Sequence, residues 1–208
     1  IQVYEGGINE ESQDKETGYE QVAPTVYALV AAIDAKDSFT FQHSTNVSQY
    51  AVLLAQKLGL SRDDIQTVKV AGLLHDIGKI GIPESILKKA GKLTNEEYEI
   101  MKSHVEKSIE MIHYLPNMNY VIPAVVSHHE RYDGKGYPRG IKGEEIPFLG
   151  RILAVCDSFD AMISKRAYKE PLSVEYAMGE LEKNKGTQFD PEVADAFIEL
   201  IKEGKVPL

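Results

Sequence analysis

The sequence predicts an all-helical (all-α) domain, and three observations carry that prediction. From Tyr19 onward apolar residues recur mostly at three- and four-residue spacing, the repeat of a helix face. No window alternates apolar and polar residues as a half-buried strand would. Helix starts are punctuated by capping residues: Ser61 ahead of Asp63 and Asp64, Thr94 with Glu97 three residues later in the form of a capping box, and Asp190 ahead of Pro191.

In chain order, residues 1–18 (IQVYEGGINEESQDKETG) are polar, acidic and glycine-containing, and read as a linker or the tail of an upstream region, with the domain proper over 19–208. Helices are expected near 20–35, 40–58, 62–78, 94–115, 118–130, 149–164, 173–185 and 190–203. The stripe Val22, Val26, Leu29, Val30 and Ile33 on the first of these is expected to complete the domain's own core, a homodimer face being its other use. Residues 131–148 (RYDGKGYPRGIKGEEIPF) interrupt the helical pattern with four glycines and two prolines, and so long an irregular stretch in a helical domain is usually functional or mobile.

A chain of 208 residues with 43% hydrophobic and 26% charged residues is long enough to bury one good core. It has no apolar run of the length, about 18 residues, that a bilayer span needs, and no basic-then-apolar secretory leader. The single cysteine, Cys156, cannot form an internal disulfide, which fits a reducing compartment, and the expected address is cytoplasmic. A formal charge of −9 counts against a nucleic-acid-binding face, yet leaves room for a small anionic ligand where metals and a few cations supply local positive charge.

The stretch AGLLHDIGK at 71–79 places strong polarity at the end of an apolar helix, and helical spacing says where it points. His43 is in line with Val47, Tyr50, Ala51, Leu54 and Leu58, so it faces inward. His75 and Asp76 continue the apolar run of Val70, Leu73 and Leu74, and His104 shares a stripe with Met101, Val105, Ser108, Met111 and Ile112. His128 and His129 extend the stripes of Val121, Val125 and of Ile122, Val126, and Asp157 follows Leu153 and Ala154. His113 falls about half a turn from His104, on the opposite face. A lone inward histidine is usually a hydrogen-bonded core residue. Five inward histidines with two inward carboxylates are a different case, because buried charge must be paired or bound to metal. Nitrogen and carboxylate donors without thiolate suit iron, manganese, nickel, cobalt or zinc, and seven donors exceed what one ion with an open position uses. Two ions sharing a carboxylate fit the count, and Asp76 is well placed to bridge.

His43, then His75-Asp76, then Asp157 have the order of the HD-domain metal-dependent phosphohydrolases. HDIGK at 75–79, HHERYDGKGYP at 128–138 and RILAVCDSFDAMISKRAY at 151–168 go further and resemble the HD-GYP family, bacterial cyclic di-GMP phosphodiesterases, over roughly residues 35–203. The resemblance implies an HD-domain-like helical bundle with a glycine/proline-rich GYP loop. It implies one metal held by His43, His75, Asp76 and Asp157 and a second by Asp76, His104, His128 and His129, with a bridging hydroxide as nucleophile. Where some members carry a glutamate that helps bind a third metal this chain has Phe39, so two divalent transition-metal ions are expected, iron or manganese first. Lys79 resembles the lysine proposed to assist the leaving 3′ oxygen, though on its own it would read as a solvated cation favoured by a helix C-terminus. Arg166 and Lys169 match positions that grip the substrate's second phosphate, Tyr137 is a candidate contact to a guanine, and Asp160 is expected to orient Lys79 or a ligand histidine from behind.

The function implied is hydrolysis of cyclic di-GMP to linear pGpG, with further cleavage to GMP left open. Hydrolysis of another substrate, cyclic GMP-AMP or a nucleotide monoester, is the second reading, and a metal-bound signalling module whose GYP loop recruits a cyclase or adaptor is the third. An upstream sensor domain belongs to the same expectation.

Overall fold

The computed structural model describes residues 10–34, 40–165 and 170–208. Their fold is a bundle of ten helices: α1 (Glu10–Asp34), α2 (Thr40–Lys57), α3 (Arg62–Leu74), α4 (Glu84–Leu87), α5 (Asn95–Lys102), α6 (His104–His113), α7 (Ile122–Ser127), α8 (Phe148–Ile163), α9 (Val174–Lys183) and α10 (Pro191–Lys202). Short 3₁₀ turns lie at Ile77–Gly81, Asn119–Val121 and Gly143–Glu145, and the described residues contain no β-strand. The expected fold class therefore holds.

The capping residues act as their types predict. The Ser61 hydroxyl accepts from the Asp64 amide at 3.1 Å, Thr94 and Glu97 close a reciprocal box, and Asp190 accepts from the Glu192 and Val193 amides ahead of α10. Packing then fixes the centre of the domain. Helix α2 lies against α1, α3, α8 and α10, and its buried Val47, Ala51 and Leu54 join one continuous core with Leu74, Ile112, Val125, Leu153 and Phe197. Tyr50, Phe159 and Phe197 meet there as a three-ring cluster with centroids 5.1–6.0 Å apart. In α1, Val22, Val26, Val30 and Ile33 are buried in this same core with Leu29 packed beside them, so the stripe serves the domain itself.

Four boundaries depart from the sequence reading. Helix α1 starts at Glu10, inside the segment read as linker, where Glu, Gln and Lys supply helix propensity without apolar periodicity. The helix expected over 62–78 ends at Leu74, and Asp76 leaves it with φ −106° and ψ 3° before the 3₁₀ turn. The helix expected over 94–115 divides at Ser103 into α5 and α6, and that over 118–130 shrinks to a 3₁₀ turn and α7. One physical cause links the second and third: the turn at Ile77–Gly81 is pressed onto the start of α6. A Cβ on Gly78 would lie 2.0 Å from the His104 carbonyl oxygen and 2.4 Å from the Ser108 amide nitrogen, so only glycine fits. Such contacts between distant segments leave no mark in local periodicity. The short α4 also went unforeseen, being one turn long.

Candidate metal centre

The two ends that matter, the C-terminus of α3 and the N-terminus of α6, bring His75, Asp76 and His104 together, while α2 supplies His43, α8 supplies Asp157, and the turn after α7 supplies His128 and His129. His43, His75, Asp76, His104 and His128 are at most 2% exposed. His129 and Asp157 are partly buried. Two groups of donor atoms result, each within 4.8 Å: His43, His75 and Asp157 in one, Asp76, His104, His128 and His129 in the other.

Asp76 stands between them. Its Oδ2 lies 3.4 Å from His75 Nε2 and 3.7 Å from His43 Nε2, and its Oδ1 lies 3.4 Å from His104 Nε2. In the first group His43 Nε2 is 3.1 Å and His75 Nε2 4.0 Å from Asp157 Oδ1.

The inward Nε2 atoms follow from what the other ring nitrogens do. The Nδ1–H of His75 donates to the Gly72 carbonyl at 2.7 Å, that of His104 to Met101 at 2.7 Å and that of His128 to Val125 at 2.6 Å. Each is a carbonyl three residues earlier, so the helix end itself selects the tautomer and leaves a lone pair on Nε2. His43 Nδ1 meets Asp160 Oδ2 at 2.7 Å, and Asp160 is held in turn by the Asn46 amide at 2.8 Å and the Ser164 hydroxyl at 3.0 Å. The Asp160 carboxylate therefore stands behind the His43 ring.

Three of the inward nitrogens, on His75, His104 and His128, together with Asp76 Oδ1, are buried without any hydrogen-bond partner. Leaving four such atoms unsatisfied at one place would cost several kcal/mol in total, at roughly 1–3 kcal/mol each. Lone-pair donors converging on common points are what divalent transition metals use, so the residues fit a metal centre.

Charge agrees with this. Burial pushes His104 down, pushes His128 far down and lowers His129 to about 3, so all three stay neutral and ligand-ready. Burial also acts against a charged His43, but its bonds to Asp157 and Asp160 outweigh it and raise it to about 9. Burial opposes ionisation of Asp76 and Asp157 as well, yet the Lys79 ammonium beside Asp76, and His43 beside Asp157, hold both carboxyls below the usual range. Lys79 Nζ sits 2.5 Å from Asp76 Oδ2, with about a quarter of its side chain exposed, and so reaches both the shared carboxylate and solvent.

The remaining predicted residues divide. Tyr137 lies in the centre's wall with its ring on His129. Arg166, Lys169 and Phe39 lie outside the described residues. His113 is exposed and bonded to Asn119, away from the centre as expected. Cys156 is fully buried, and burial raises its thiol, so it is inert. Sequence reasoning missed Asn46, which steadies Asp160, and Ser108, whose hydroxyl accepts from the Gly78 amide at 2.8 Å and donates to the His75 carbonyl at 3.0 Å. Ser108 was visible on the inward stripe of α6, but nothing local named its partner.

The chain belongs to the HD domain family, whose model matches residues 28–193. Its motif resemblance to HD-GYP proteins stands alongside that membership. A cyclic di-GMP phosphodiesterase of Thermotoga maritima is 44% identical over 170 residues, covering 81% of this chain and 46% of the relative. A 3′3′-cGAMP-specific phosphodiesterase of Vibrio cholerae is 39% identical over 176 residues, 84% of this chain and 34% of the relative. The chain thus spans between a third and a half of the length of these curated relatives. The solved structure of Bd1817, an HDGYP protein from Bdellovibrio bacteriovorus, superposes with a TM-score of 0.66 at 18% identity over 92% of this chain and 64% of that one, a likeness of fold.

Proposed function

We propose that this chain is the phosphodiesterase domain of a cyclic di-GMP hydrolase, with a centre of two divalent transition metals. The observation that carries the reading is the Asp76 carboxylate set between two histidine groups, one oxygen toward each. The relatives named cyclic di-GMP phosphodiesterases support the substrate.

In this reading His43, His75, Asp76 and Asp157 hold one ion and Asp76, His104, His128 and His129 the other, iron or manganese being the expected metals. When bound, such a pair supplies Lewis acidity and an activated water for in-line attack on a phosphodiester. The chain's own residues do the rest. His104, His128 and His129, held neutral by burial, offer lone pairs without first losing a proton, whereas His43 must give up its proton to bind. Asp160 and the carbonyls of Gly72, Met101 and Val125 keep the rings aimed. Lys79, on the solvent side of Asp76, supplies positive charge or a proton to the departing 3′ oxygen as the P–O bond breaks. Arg166 and Lys169 are assigned to the substrate's second phosphate. A cytoplasmic address, an upstream sensor and docking of a cyclase or adaptor on the GYP loop belong to the same proposal.

A second reading, cyclic GMP-AMP as substrate, is favoured by the Vibrio relative specific for it. Parallel incubation of the metal-loaded protein with cyclic di-GMP, cyclic GMP-AMP and nucleotide monophosphates, with products separated by chromatography, tests both. Formation of pGpG or GMP from cyclic di-GMP at the highest kcat/KM supports the first reading. Turnover of cyclic GMP-AMP alone replaces it with the second, and turnover of neither dinucleotide removes both.

A further inference from the structure

Four of the five inward histidines are aimed by a hydrogen bond at Nδ1. His129 is the exception: neither of its ring nitrogens bonds any described residue. Its ring is held by other rings instead. Tyr137 lies on it with centroids 4.8 Å apart and planes inclined by 31°, His128 flanks it at 3.9 Å and 42°, and His104 meets it edge-on at 5.1 Å. Behind Tyr137 stand the Tyr98 ring, edge-on at 6.3 Å, and the Lys102 ammonium, 5.7 Å from the Tyr137 centroid.

The backbone of the loop is fastened to the same short segment. The Tyr137 amide donates to the His129 carbonyl at 3.2 Å, and the Gly134 amide to the Arg131 carbonyl at 2.8 Å. The Arg139 amide donates to Glu130 Oε1 at 2.7 Å, and Glu130 is only 3% exposed. Gly136 approaches so closely that a Cβ there would stand 2.3 Å from the Arg131 nitrogen and 2.5 Å from the His129 carbonyl oxygen. Glu130, Gly136 and the Tyr137 amide thus all press the loop onto residues 129–131, and the tyrosine ring arrives on the one histidine that lacks a hydrogen bond.

We propose that the loop is a clamp for a metal ligand: Tyr137 is a positioning residue that holds His129 in its ligating orientation, in the role that Nδ1 bonds play for the other four. The proposal rests on the reading of His129 as a ligand. It gives the GYP tyrosine work inside the domain, because the ring face on His129 is not open to a base. What matters is the flat ring and not the phenol hydroxyl.

Manganese binding, measured by chelator competition, tests this on the wild type and on Tyr137→Phe, Tyr137→Leu and Tyr137→Ala. The phenylalanine variant is expected to bind within about twofold of wild type, and the leucine and alanine variants to lose 10–100-fold at the weaker of the two sites, the range for lost ligand support. Under saturating manganese the KM for cyclic di-GMP is expected to stay near the wild-type value. Unchanged manganese affinity in Tyr137→Leu with a raised KM would overturn the clamp and make Tyr137 a substrate contact. Should the alanine variant not fold, shown by its melting curve in chelator, the leucine and phenylalanine pair decides the matter. A wild type that takes up no manganese would instead overturn the metal centre on which the clamp depends.

Discussion

Replacing Gly78 by alanine adds a single methyl group where the backbone of α6 leaves no room for one. The new Cβ would sit 2.0 Å from the His104 carbonyl oxygen, 2.4 Å from the Ser108 nitrogen and 2.8 Å from the Ser108 hydroxyl. Two of these neighbours are backbone atoms of α6, which cannot swing aside as a side chain would. The turn must move off α6, loosening the 2.8 Å bond from the Gly78 amide to Ser108 and drawing Asp76 away from His104. Overpacking of this kind costs about 1–3 kcal/mol. For a domain of this size that corresponds to a fall in melting temperature of roughly 2–12 °C, at about 2–4 °C per kcal/mol. The assay is thermal melting in chelator, followed by metal titration of the folded variant. A variant that melts within about 1 °C of wild type and binds metal with unchanged affinity would refute the claim that this contact sets the position of Asp76.

Three further outcomes follow from the same geometry. Asp160→Asn keeps the shape but offers His43 Nδ1 a weaker partner, and is expected to lower affinity at the His43 site about 10–100-fold while leaving the fold intact, read by chelator competition and melting. Ser108→Ala strands the buried Gly78 amide and is expected to cost about 1–3 kcal/mol in a denaturant titration. Asp133, paired with Arg131 at 2.9 Å in the clamp loop, is lowered to about 2, chiefly by that pairing. Its folded value lies below its ordinary 3.8, so its contribution to stability is present above 3.8 and lost as pH falls through about 2. The melting difference between wild type and Asp133→Asn should therefore be present at pH 6 and shrink on acidification.

Much of this centre was legible in the chain because helical spacing is a strong constraint. An inward histidine at 43 or 104 can be placed from its apolar neighbours three, four and seven residues away, and the structure buries both. The structure gathers these side chains into two donor groups, one of His43, His75 and Asp157 and one of Asp76, His104, His128 and His129. What local pattern could not show is where helices stop for tertiary reasons. Ser103 divides α5 from α6 with no glycine or proline to mark it, and Asp76 leaves α3 because its turn must fit against α6. The same holds for partners. The sequence left several tasks open for Asp160, orienting Lys79 or a histidine or capping its own helix, and the packing of α8 against α2 is what sets it against His43. Tyr137 was a candidate base contact because an aromatic in a glycine-rich loop beside a site invites that role, and the folded loop turns its ring onto a neighbour eight residues earlier in the chain.

The central claim is that Asp76 joins two metal sites, and elemental analysis of anaerobically purified protein tests it most directly when wild type is compared with Asp76→Ala. The account predicts about two iron or manganese ions per wild-type chain and a loss from both sites in the variant, since each site would lose a shared ligand. A wild type holding at most one ion, or an Asp76→Ala variant that retains two, would contradict it.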